Sequence, residues 1–370
     1  ICTAVEAESA SPTTSRPCRR SAAATLVRVS PSSSTTSARH WVMQQLWRFP
    51  NLRSNGDNAP VHGTDAAITA LRNGGLCVVP TETVYGLGAD ARNAAAVRRI
   101  FETKGRPADH PLIVHLANAD AMGEWAVDIP DYARLLAAAY WPGPLTLILR
   151  KAPHVLPIVT GGQDTVGLRV PAHPLTREVI AALGSGIAAP SANRFGKVSP
   201  TTAQHVVDDI GALLQPTDYV LDGGPCSIGV ESTIVDCTGN NPRSLRSGAI
   251  SAAMIEEVTG LDVLASDGTV RASGTLASHY APNARVVVTD ADTVPNIQGA
   301  GLIAPETVAT PSGMMRLLSA RDIGEYARGL YAALRAGDVH HMSTIVAVLP
   351  TDEGLGSAIR DRLARAAQSG

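Results

Sequence analysis

Short apolar runs alternate with segments of helical period along residues 62–261, and this alternation limits the possible folds more than any other feature. Some neighbouring runs are close enough for a hairpin, whereas others are separated by a whole helix. The pattern therefore predicts an α/β fold in which helices pack on a twisted mixed sheet, not a strictly doubly wound sheet. Strands are expected at residues 76–80, 111–116, 145–150, 165–170, 187–190 and 232–236, helices at 66–72, 93–103, 131–140, 175–183, 202–210 and 251–259, and a loop at 81–90.

The pattern changes on both sides of this region. Residues 262–282 are rich in Gly, Ser, Ala and Thr, which predicts a linker. Residues 1–58 are rich in Ser, Ala and Arg and poor in acids, which fits a transit peptide, a disordered tail or upstream sequence wrongly joined to the gene. Residues 283–370 predict a small C-terminal α/β (Rossmann-like) domain, with strands at 285–288, 301–304 and 344–349 and helices at 319–335 and 355–367.

The overall composition argues against several classes of protein. The formal net charge is −2 and the pI is about 6.6, so no global basic field draws the chain to nucleic acid or to an anionic membrane. Aromatic residues make up 4% of the chain, which leaves few platforms for stacking bases. No apolar run reaches the roughly 20 residues that a membrane helix needs. The five cysteines have no CxxC spacing, which predicts buried thiols in a reducing compartment rather than a zinc site.

Two polar segments follow predicted strands, where ligands bind in open α/β sheets. The segment PTETVYGLG at residues 80–88 combines two threonines, a glutamate and two glycines, although an ordinary polar turn also has this composition. The segment APSANRFGKVSPT at residues 189–201 places small residues beside hydroxyl and amide groups. Between them, Lys104 and Arg106 can present two cations to a polyphosphate, or can simply complement the C-terminus of a helix.

Several common catalytic motifs are missing from the sequence. It contains no P-loop, no GxGxxG fingerprint after a strand, no GxSxG nucleophile elbow and no HExxH pair. The histidines are scattered, which gives no indication of a metal site. Any catalysis is therefore expected to depend on the polar segments themselves.

The order of the motifs is more specific than any one of them. PTETVYGLG, KGRPADHPLIVH, GLRVPAHP, APSANRFGKVSPT, GVESTIVD and LRSGAI follow one another between residues 80 and 250. This series resembles the YrdC-like family of threonylcarbamoyl-AMP synthases, whose hallmark is a Lys-x-Arg followed far downstream by a Ser-x-Asn. The resemblance covers about residues 64–260, and the linker and C-terminal domain resemble the two-domain form. The hallmark positions, which the resemblance implies are catalytic, are Lys104, Arg106, Ser191 and Asn193.

The resemblance implies that a concave face of the sheet holds both substrates. Arg169 is expected to bind the carboxylate of threonine, because a guanidinium can do so bidentately. His110 departs from the family pattern, which commonly has Asn there, and residues 271–275 depart from its Pro-Gly-Met-like stretch. No protein ligand to a metal is implied. The residues implied for the threonine site are Thr83, His115, Arg169, Ala189 and Ser232, and those for the ATP site are Arg106, His110, Thr165, Ser191, Ser199, Arg246 and Tyr280.

The resemblance also implies a reaction. The amine of L-threonine captures CO2 or bicarbonate, the resulting carbamate attacks the α-phosphorus of ATP, and pyrophosphate leaves, with Mg2+ on the phosphates. Residues 266–282 are expected to act as a lid that keeps water from the labile product. A downstream threonylcarbamoyl transferase complex would modify tRNA, which this chain would contact only weakly. The expected location is the cytoplasm, or an organelle if residues 1–58 are a transit peptide.

Three alternatives remain open on the sequence. The first is a YrdC-like module that binds RNA without catalysis, which near-neutral charge and scarce aromatics disfavour. The second is a hydrogenase-maturation carbamoyltransferase, although the zinc-finger and acylphosphatase-like segments of those proteins are not found in this sequence. The third is a paralogue with another small substrate, against which Arg169 and Ser232 argue.

Overall fold

The computed structural model describes residues 62–274 and 279–368. The predicted tail, residues 1–58, lies outside them. The first part of the described chain contains helices α1 (His62–Arg72), α2 (Ala94–Lys104), α3 (Met122–Trp125), α4 (Asp131–Tyr140), α5 (Pro157–Thr160), α6 (Pro174–Leu183), α7 (Ala203–Ile210) and α8 (Ala252–Thr259). Its strands are β1 (Cys77–Val79), β2 (Gly86–Asp90), β3 (Ile113–His115), β4 (Ala126–Val127), β5 (Leu145–Lys151), β6 (Thr165–Arg169), β7 (Ile187–Ala188), β8 (Tyr219–Val220), β9 (Thr233–Asp236), β10 (Arg243–Arg246) and β11 (Leu264–Ala265).

The strands of this part form one mixed sheet in the order β11-β10-β9-β5-β6-β3-β7-β2-β1-β8, with β4 pairing beside β5. Strand β1 is antiparallel to β2 and parallel to β8, while β3 is parallel to β6 and antiparallel to β7. Hairpins and crossovers thus coexist, and the predicted mixed α/β sheet is confirmed.

Side chains alternate between the two faces of the sheet, as the strand period requires. On β1, Val78 belongs to the larger apolar cluster, whereas Cys77 and Val79 belong to a second cluster with Val179 and Ile180 of α6. Burial of apolar side chains on both faces stabilises the sheet. The polar side chains of the site therefore lie at the ends of the strands.

The loop predicted at residues 81–90 is wrong in its second half, because Gly86–Asp90 forms strand β2. A Cβ atom on Gly88 would lie 2.6 Å from Cγ2 of Ile187 and 3.0 Å from the carbonyl oxygen of Cys77. Glycine is therefore required for β2 to fit between its neighbours, although glycine is itself a poor predictor of strand.

The C-terminal part of the described chain has a separate parallel sheet, in the order β12-β15-β13-β14. The predicted helix at residues 319–335 is wrong at its start, because residues 315–320 form an edge strand. The helix begins at Ile323, and the side chain of Asp322 caps it by accepting a hydrogen bond from the backbone amide of Glu325. The elements of this part are β12 (Arg285–Thr289), β13 (Gly301–Pro305), β14 (Met315–Ala320), α9 (Ile323–Val339), β15 (Thr344–Val348) and α10 (Leu355–Ala367).

The linker lies against the first sheet before it enters the C-terminal part. Its residues Val270 and Ala272 pack on Ile113, Ile148 and Ile234, which project from three strands of that sheet. The residues that the structure describes include no helix long and apolar enough to cross a membrane.

Candidate functional site

The ends of several strands and the linker surround a small cleft of about 50 Å3. Most small-molecule sites enclose roughly 300–1,000 Å3. The cleft in this state is thus small for a nucleotide, and linker residues form one of its walls. The lining residues are Thr81, Thr83, Val84, Gly86, Arg106, Ile113, His115, Arg169, Ala189, Pro190, Ser191, Glu231, Ser232, Arg246, Ser273, Gly274, His279 and Tyr280.

Arg169, at the end of β6, is held from three directions. Its Nε donates to the carbonyl oxygen of Gly143 (3.2 Å), Nη1 donates to Oγ1 of Thr83 (2.9 Å), and Nη2 donates to Oε1 of Glu82 (2.5 Å). The other oxygen of Glu82 accepts from the backbone amide of Ala172 (3.0 Å). A guanidinium has five N–H donors, so one remains on each of the two terminal nitrogens. That pair matches the two oxygens of a carboxylate.

His115 lies on β3 next to this arginine. Burial, with a smaller contribution from the charge of Arg169, lowers the pKa of His115 to about 3, so its imidazole is neutral near pH 7. Its Nδ1 has no hydrogen-bond partner among the described residues. The side chain therefore has an unused polar atom beside the cleft.

Ser232, directly before β9, and Arg246, the last residue of β10, form a second polar group. Nε of Arg246 donates to the carbonyl oxygen of Ser232 and Nη2 donates to its Oγ, both at 3.0 Å. Oγ of Ser232 also lies 2.8 Å from Oγ1 of Thr146. The remaining terminal nitrogen of Arg246 donates to the carbonyl oxygen of Ser273 in the linker (2.8 Å), so this arginine joins the sheet to the linker.

Arg106 is another buried arginine of the cleft lining. Its guanidinium lies 5.6 Å from the ring centroid of Phe195, and Nη2 donates to the carbonyl oxygen of Pro111 (3.1 Å). Burial lowers its pKa from 12.5 to about 10, which still leaves it charged at neutral pH. Gly105 adopts a left-handed conformation (φ 63°) at the end of α2, which turns the chain between Lys104 and Arg106.

Lys104 does not line the cleft. Its Nζ donates to the carbonyl oxygens of Ser191 (2.6 Å) and Asn193, and lies 3.4 Å from Oδ1 of Asn193. Nδ2 of Asn193 in turn donates to the carbonyl oxygens of Arg194 (2.9 Å) and Lys197 (2.6 Å). Burial lowers the pKa of Lys104 well below 10.5. In this state Lys104 and Asn193 fix the loop that carries Ser191, rather than presenting their polar groups to the cleft.

Three other positions predicted for the ATP site lie outside the lining. Thr165 borders a smaller void beneath Arg271 and Ala272 of the linker. The ring of His110 stands edge-on to that of Phe195, with the centroids 5.4 Å apart. Oγ of Ser199 donates to Oε1 of Glu231 (2.6 Å). The structure thus brings together the threonine set (Thr83, His115, Arg169, Ala189 and Ser232) and four of the ATP set (Arg106, Ser191, Arg246 and Tyr280).

Sequence reasoning did not single out Glu231 or His279, which both line the cleft. Glu231 stands inside the GVESTIVD motif and His279 immediately precedes Tyr280, so both belong to segments that the sequence had already marked. The rings of His279 and Tyr280 are 4.1 Å apart at a steep angle. Burial lowers the pKa of His279 to about 3, so this histidine too is neutral at physiological pH.

The site contains cations without a cluster of metal ligands. Among the described residues, no three His, Cys, Asp or Glu side chains are close enough to hold a metal ion. The carboxylates nearest the cleft, Glu82 and Glu231, are already bound to arginines. Such an arrangement suits anionic ligands, whose carboxylate and phosphate groups arginine binds well.

Comparison with known proteins identifies the family of the chain. Residues 69–248 match the Sua5/YciO/YrdC family model, described as telomere recombination, and residues 250–368 match the C-terminal domain of threonylcarbamoyl-AMP synthase. The threonylcarbamoyl-AMP synthase of Pyrococcus abyssi is 39% identical over 80% of this chain and 91% of its own length. The synthase of Bacillus subtilis is also 39% identical, over 81% and 92%.

A solved structure extends the comparison to the fold. The crystal structure of P. abyssi Sua5 complexed with L-threonine is 38% identical, with a TM-score of 0.75, and the match covers 82% of this chain and 94% of that one. Both domains and the segment between them are therefore shared with these relatives. The chain belongs to the threonylcarbamoyl-AMP synthase family, in the form that carries the Sua5 C-terminal domain.

Proposed function

We propose that this chain makes threonylcarbamoyl-AMP and pyrophosphate from L-threonine, ATP and bicarbonate or CO2. The observation that carries the proposal is the convergence of three buried arginines, Arg106, Arg169 and Arg246, on one cleft. Two anionic substrates need such charges, and the family supplies their identity. The alternative of an RNA-binding module without catalysis has no comparable support, because a narrow, largely buried cleft is not a surface for stacked bases.

Arg169 binds threonine in this proposal. Its two remaining N–H donors hold the α-carboxylate, and Glu82 and Thr83 fix the plane of the guanidinium. Ala189 is buried and small, which leaves room for the amino acid's side chain. Ser232 and the neutral His115 offer hydrogen bonds to the hydroxyl and the amine.

The chemistry then needs position and charge rather than a nucleophilic side chain. The threonine amine forms a N–C bond with CO2 and loses a proton, which gives a carbamate. A carbamate oxygen attacks the α-phosphorus of ATP, and the bond between that phosphorus and the oxygen bridging to the β-phosphate breaks. Arg106 and Arg246 stabilise the charge that develops on the phosphates, in a setting where burial strengthens electrostatic interactions.

Mg2+ fits this scheme as a companion of the nucleotide. The cleft offers arginines and hydroxyls, and its carboxylates are engaged, so the donor set present favours an ion held by the phosphates rather than by protein ligands. When bound, the ion would neutralise part of the pyrophosphate charge. The protein's own contribution is to orient the two substrates.

The linker closes the site. Ser273, Gly274, His279 and Tyr280 form one wall of a cleft that is too small for ATP, so nucleotide binding requires this wall to open and catalysis requires it to close again. The product would then pass to a threonylcarbamoyl transferase complex acting on tRNA, with only weak tRNA contact by this chain. The cytoplasm is the proposed location, or an organelle if residues 1–58 are a transit peptide.

Pyrophosphate release tests the proposal. The purified chain is incubated with ATP, bicarbonate and Mg2+, with L-threonine, with L-serine or with neither. We expect release that requires threonine and responds weakly to serine, and that collapses in Arg106→Ala. Release without an amino acid would indicate another substrate, and no release from a folded protein that binds ATP would favour a binding module.

A further inference from the structure

Arg362 of α10 is completely buried, with 0% of its surface exposed, although it belongs to the C-terminal domain. Its Nε donates to Oε2 of Glu231 (2.8 Å), Nη2 donates to the carbonyl oxygen of Ser247 (2.9 Å), and Nη1 donates to Oδ2 of Asp361 (2.6 Å). Its guanidinium also lies 5.3 Å from the ring centroid of Tyr280. Three of these four contacts cross from the C-terminal domain to the catalytic domain or the linker.

Each of these three contacts reaches a lining residue or its neighbour in the chain. Glu231 directly precedes Ser232, and Ser247 directly follows Arg246. Tyr280 lines the cleft itself. One side chain of the C-terminal domain therefore contacts the carboxylate of Glu231 beside Ser232, the backbone of Ser247 beside Arg246, and the face of the linker tyrosine.

Tyr331 of α9 completes this cluster. Its hydroxyl donates to the same oxygen of Glu231 (2.7 Å), and its ring stacks on that of Tyr280 with the centroids 5.8 Å apart. The second oxygen of Glu231 accepts from Ser199 (2.6 Å). Both carboxylate oxygens are thus occupied, one by the catalytic domain and one by the C-terminal domain.

A buried charge pair is a poor way to stabilise an interface, because apolar side chains of similar volume do so equally well or better. Burial alone would raise the pKa of Glu231, but the charges of Arg362 and Arg246 outweigh it and lower the pKa to about 2. The pair is therefore ionised at neutral pH. The ion pair contributes by fixing the orientation of the side chains, because charged and bidentate hydrogen bonds restrict orientation more than apolar contacts do.

We propose that Arg362 is a positioning residue for the reaction: through Glu231, Ser247 and Tyr280, the C-terminal domain sets the geometry of Ser232, Arg246 and the linker wall. The inference rests on the proposed synthase activity. It assigns the C-terminal domain a part in building the site, beyond any role in holding the linker. Arg362 touches no substrate in this scheme and acts only through the residues that it holds.

The test compares Arg362→Met and Arg362→Lys with Arg360→Met, on the same helix. Arg360 donates to the carbonyl oxygen of Pro350 within its own domain, which makes it a matched control. We expect kcat/KM for ATP in Arg362→Met to fall by about 10- to 100-fold, as when reacting groups are displaced by about 1 Å. Arg362→Lys should recover part of this loss, and Arg360→Met should match the wild type.

The double variant Arg362→Met/Glu231→Gln separates positioning from stability. It removes both charges, so we expect its thermal midpoint to return close to that of Arg360→Met while kcat/KM for ATP stays low. Recovery of kcat/KM together with the midpoint would overturn the proposal and leave the pair a structural one. Wild-type kinetics in Arg362→Met would overturn it as well. If Arg362→Met alone does not fold, the double variant decides between these outcomes.

The two proposals fail in different ways. If the wild-type chain releases no pyrophosphate in response to threonine, the synthase activity is refuted. ATP binding measured by calorimetry then tests the positioning role on its own. An unchanged dissociation constant in the double variant would overturn that role, and a dissociation constant raised about tenfold or more would support it.

Discussion

Replacing Arg169 by lysine tests the threonine site most sharply. The structure leaves two N–H donors of Arg169 free for a carboxylate, one on each terminal nitrogen. Lysine keeps the positive charge opposite Glu82 but presents its donors from a single nitrogen. The variant should therefore lose one of two charged hydrogen bonds to threonine, while the buried carboxylate of Glu82 still has a positive charge beside it.

The expected magnitude follows from this single bond. A hydrogen bond to a charged group contributes about 1.5–3 kcal/mol. At about 1.4 kcal/mol per tenfold change, the KM for threonine should rise about 10- to 150-fold. The KM for ATP should change less than about threefold, because Arg106 and Arg246 are untouched and each tenfold change in affinity needs about 1.4 kcal/mol.

The assay is initial-rate pyrophosphate release with threonine and ATP varied in turn. Arg150→Lys, an exposed change on β5, is the matched control and should leave both KM values as in the wild type. The thermal midpoint is measured for both variants to exclude loss of fold. An unchanged KM for threonine in a folded Arg169→Lys variant would refute the assignment, as would equal rises for threonine and ATP.

Three further predictions concern space, the linker and pH. Ala189→Val should abolish threonine-dependent pyrophosphate release while calorimetry still detects ATP binding, because Ala189 lines the cleft. The control Ala182→Val, at an exposed position on α6, should keep wild-type activity. Full activity of Ala189→Val would contradict the placement of Ala189 in the threonine site. Gly274→Ala should lower kcat and expose the linker to limited proteolysis, because the new Cβ would lie 2.4 Å from the hydroxyl oxygen of Tyr280. Gly268→Ala is the control, since Gly268 has a similar φ (77° against 76°) but no atom within 4 Å of the new Cβ. Equal kcat values and equal proteolysis of the two variants would refute linker closure. The pKa of His115 falls from 6.5 to about 3 on folding, so the unfolded chain binds a proton that the folded chain does not, and stability should fall as the pH drops through that window. The free energy of unfolding, measured by denaturant titration at pH 7 and pH 5, should therefore fall by about 2 kcal/mol less in His115→Asn than in the wild type. An equal fall in the two proteins would count against a buried neutral histidine.

Much of the fold could be predicted because apolar periodicity and turn chemistry agree along the chain. Helix Asp131–Tyr140 and helix Leu355–Ala367 begin and end at the predicted residues. Strand β2 could not be predicted, because its glycines are favoured by close strand packing that only the tertiary structure shows. Strand β14 was not predicted for a similar reason, since an edge strand is defined by its partner; only its last two residues, 319–320, overlap the predicted helix.

The site was predictable where its residues stand in ordered motifs. Arg169, Ser232 and Arg246 line the cleft as expected from the resemblance. The partners that hold them were not predictable. Glu231 and Arg362 are 131 positions apart, and nothing local in either segment indicates that they meet. The partners of Lys104 were not predictable either. Its spacing to Arg106 suggests a phosphate contact, but its three oxygen partners come from a loop about 90 residues away.

The most direct measurement follows the carbon of bicarbonate into the product. The full chain is incubated with isotopically labelled bicarbonate, L-threonine, ATP and Mg2+, and the mixture is analysed at once by mass spectrometry. We predict a single molecule that contains threonine, AMP and the labelled carbon, formed in equal amount to pyrophosphate. Pyrophosphate without that labelled adduct, or an adduct of AMP that lacks the labelled carbon, would contradict the proposed reaction.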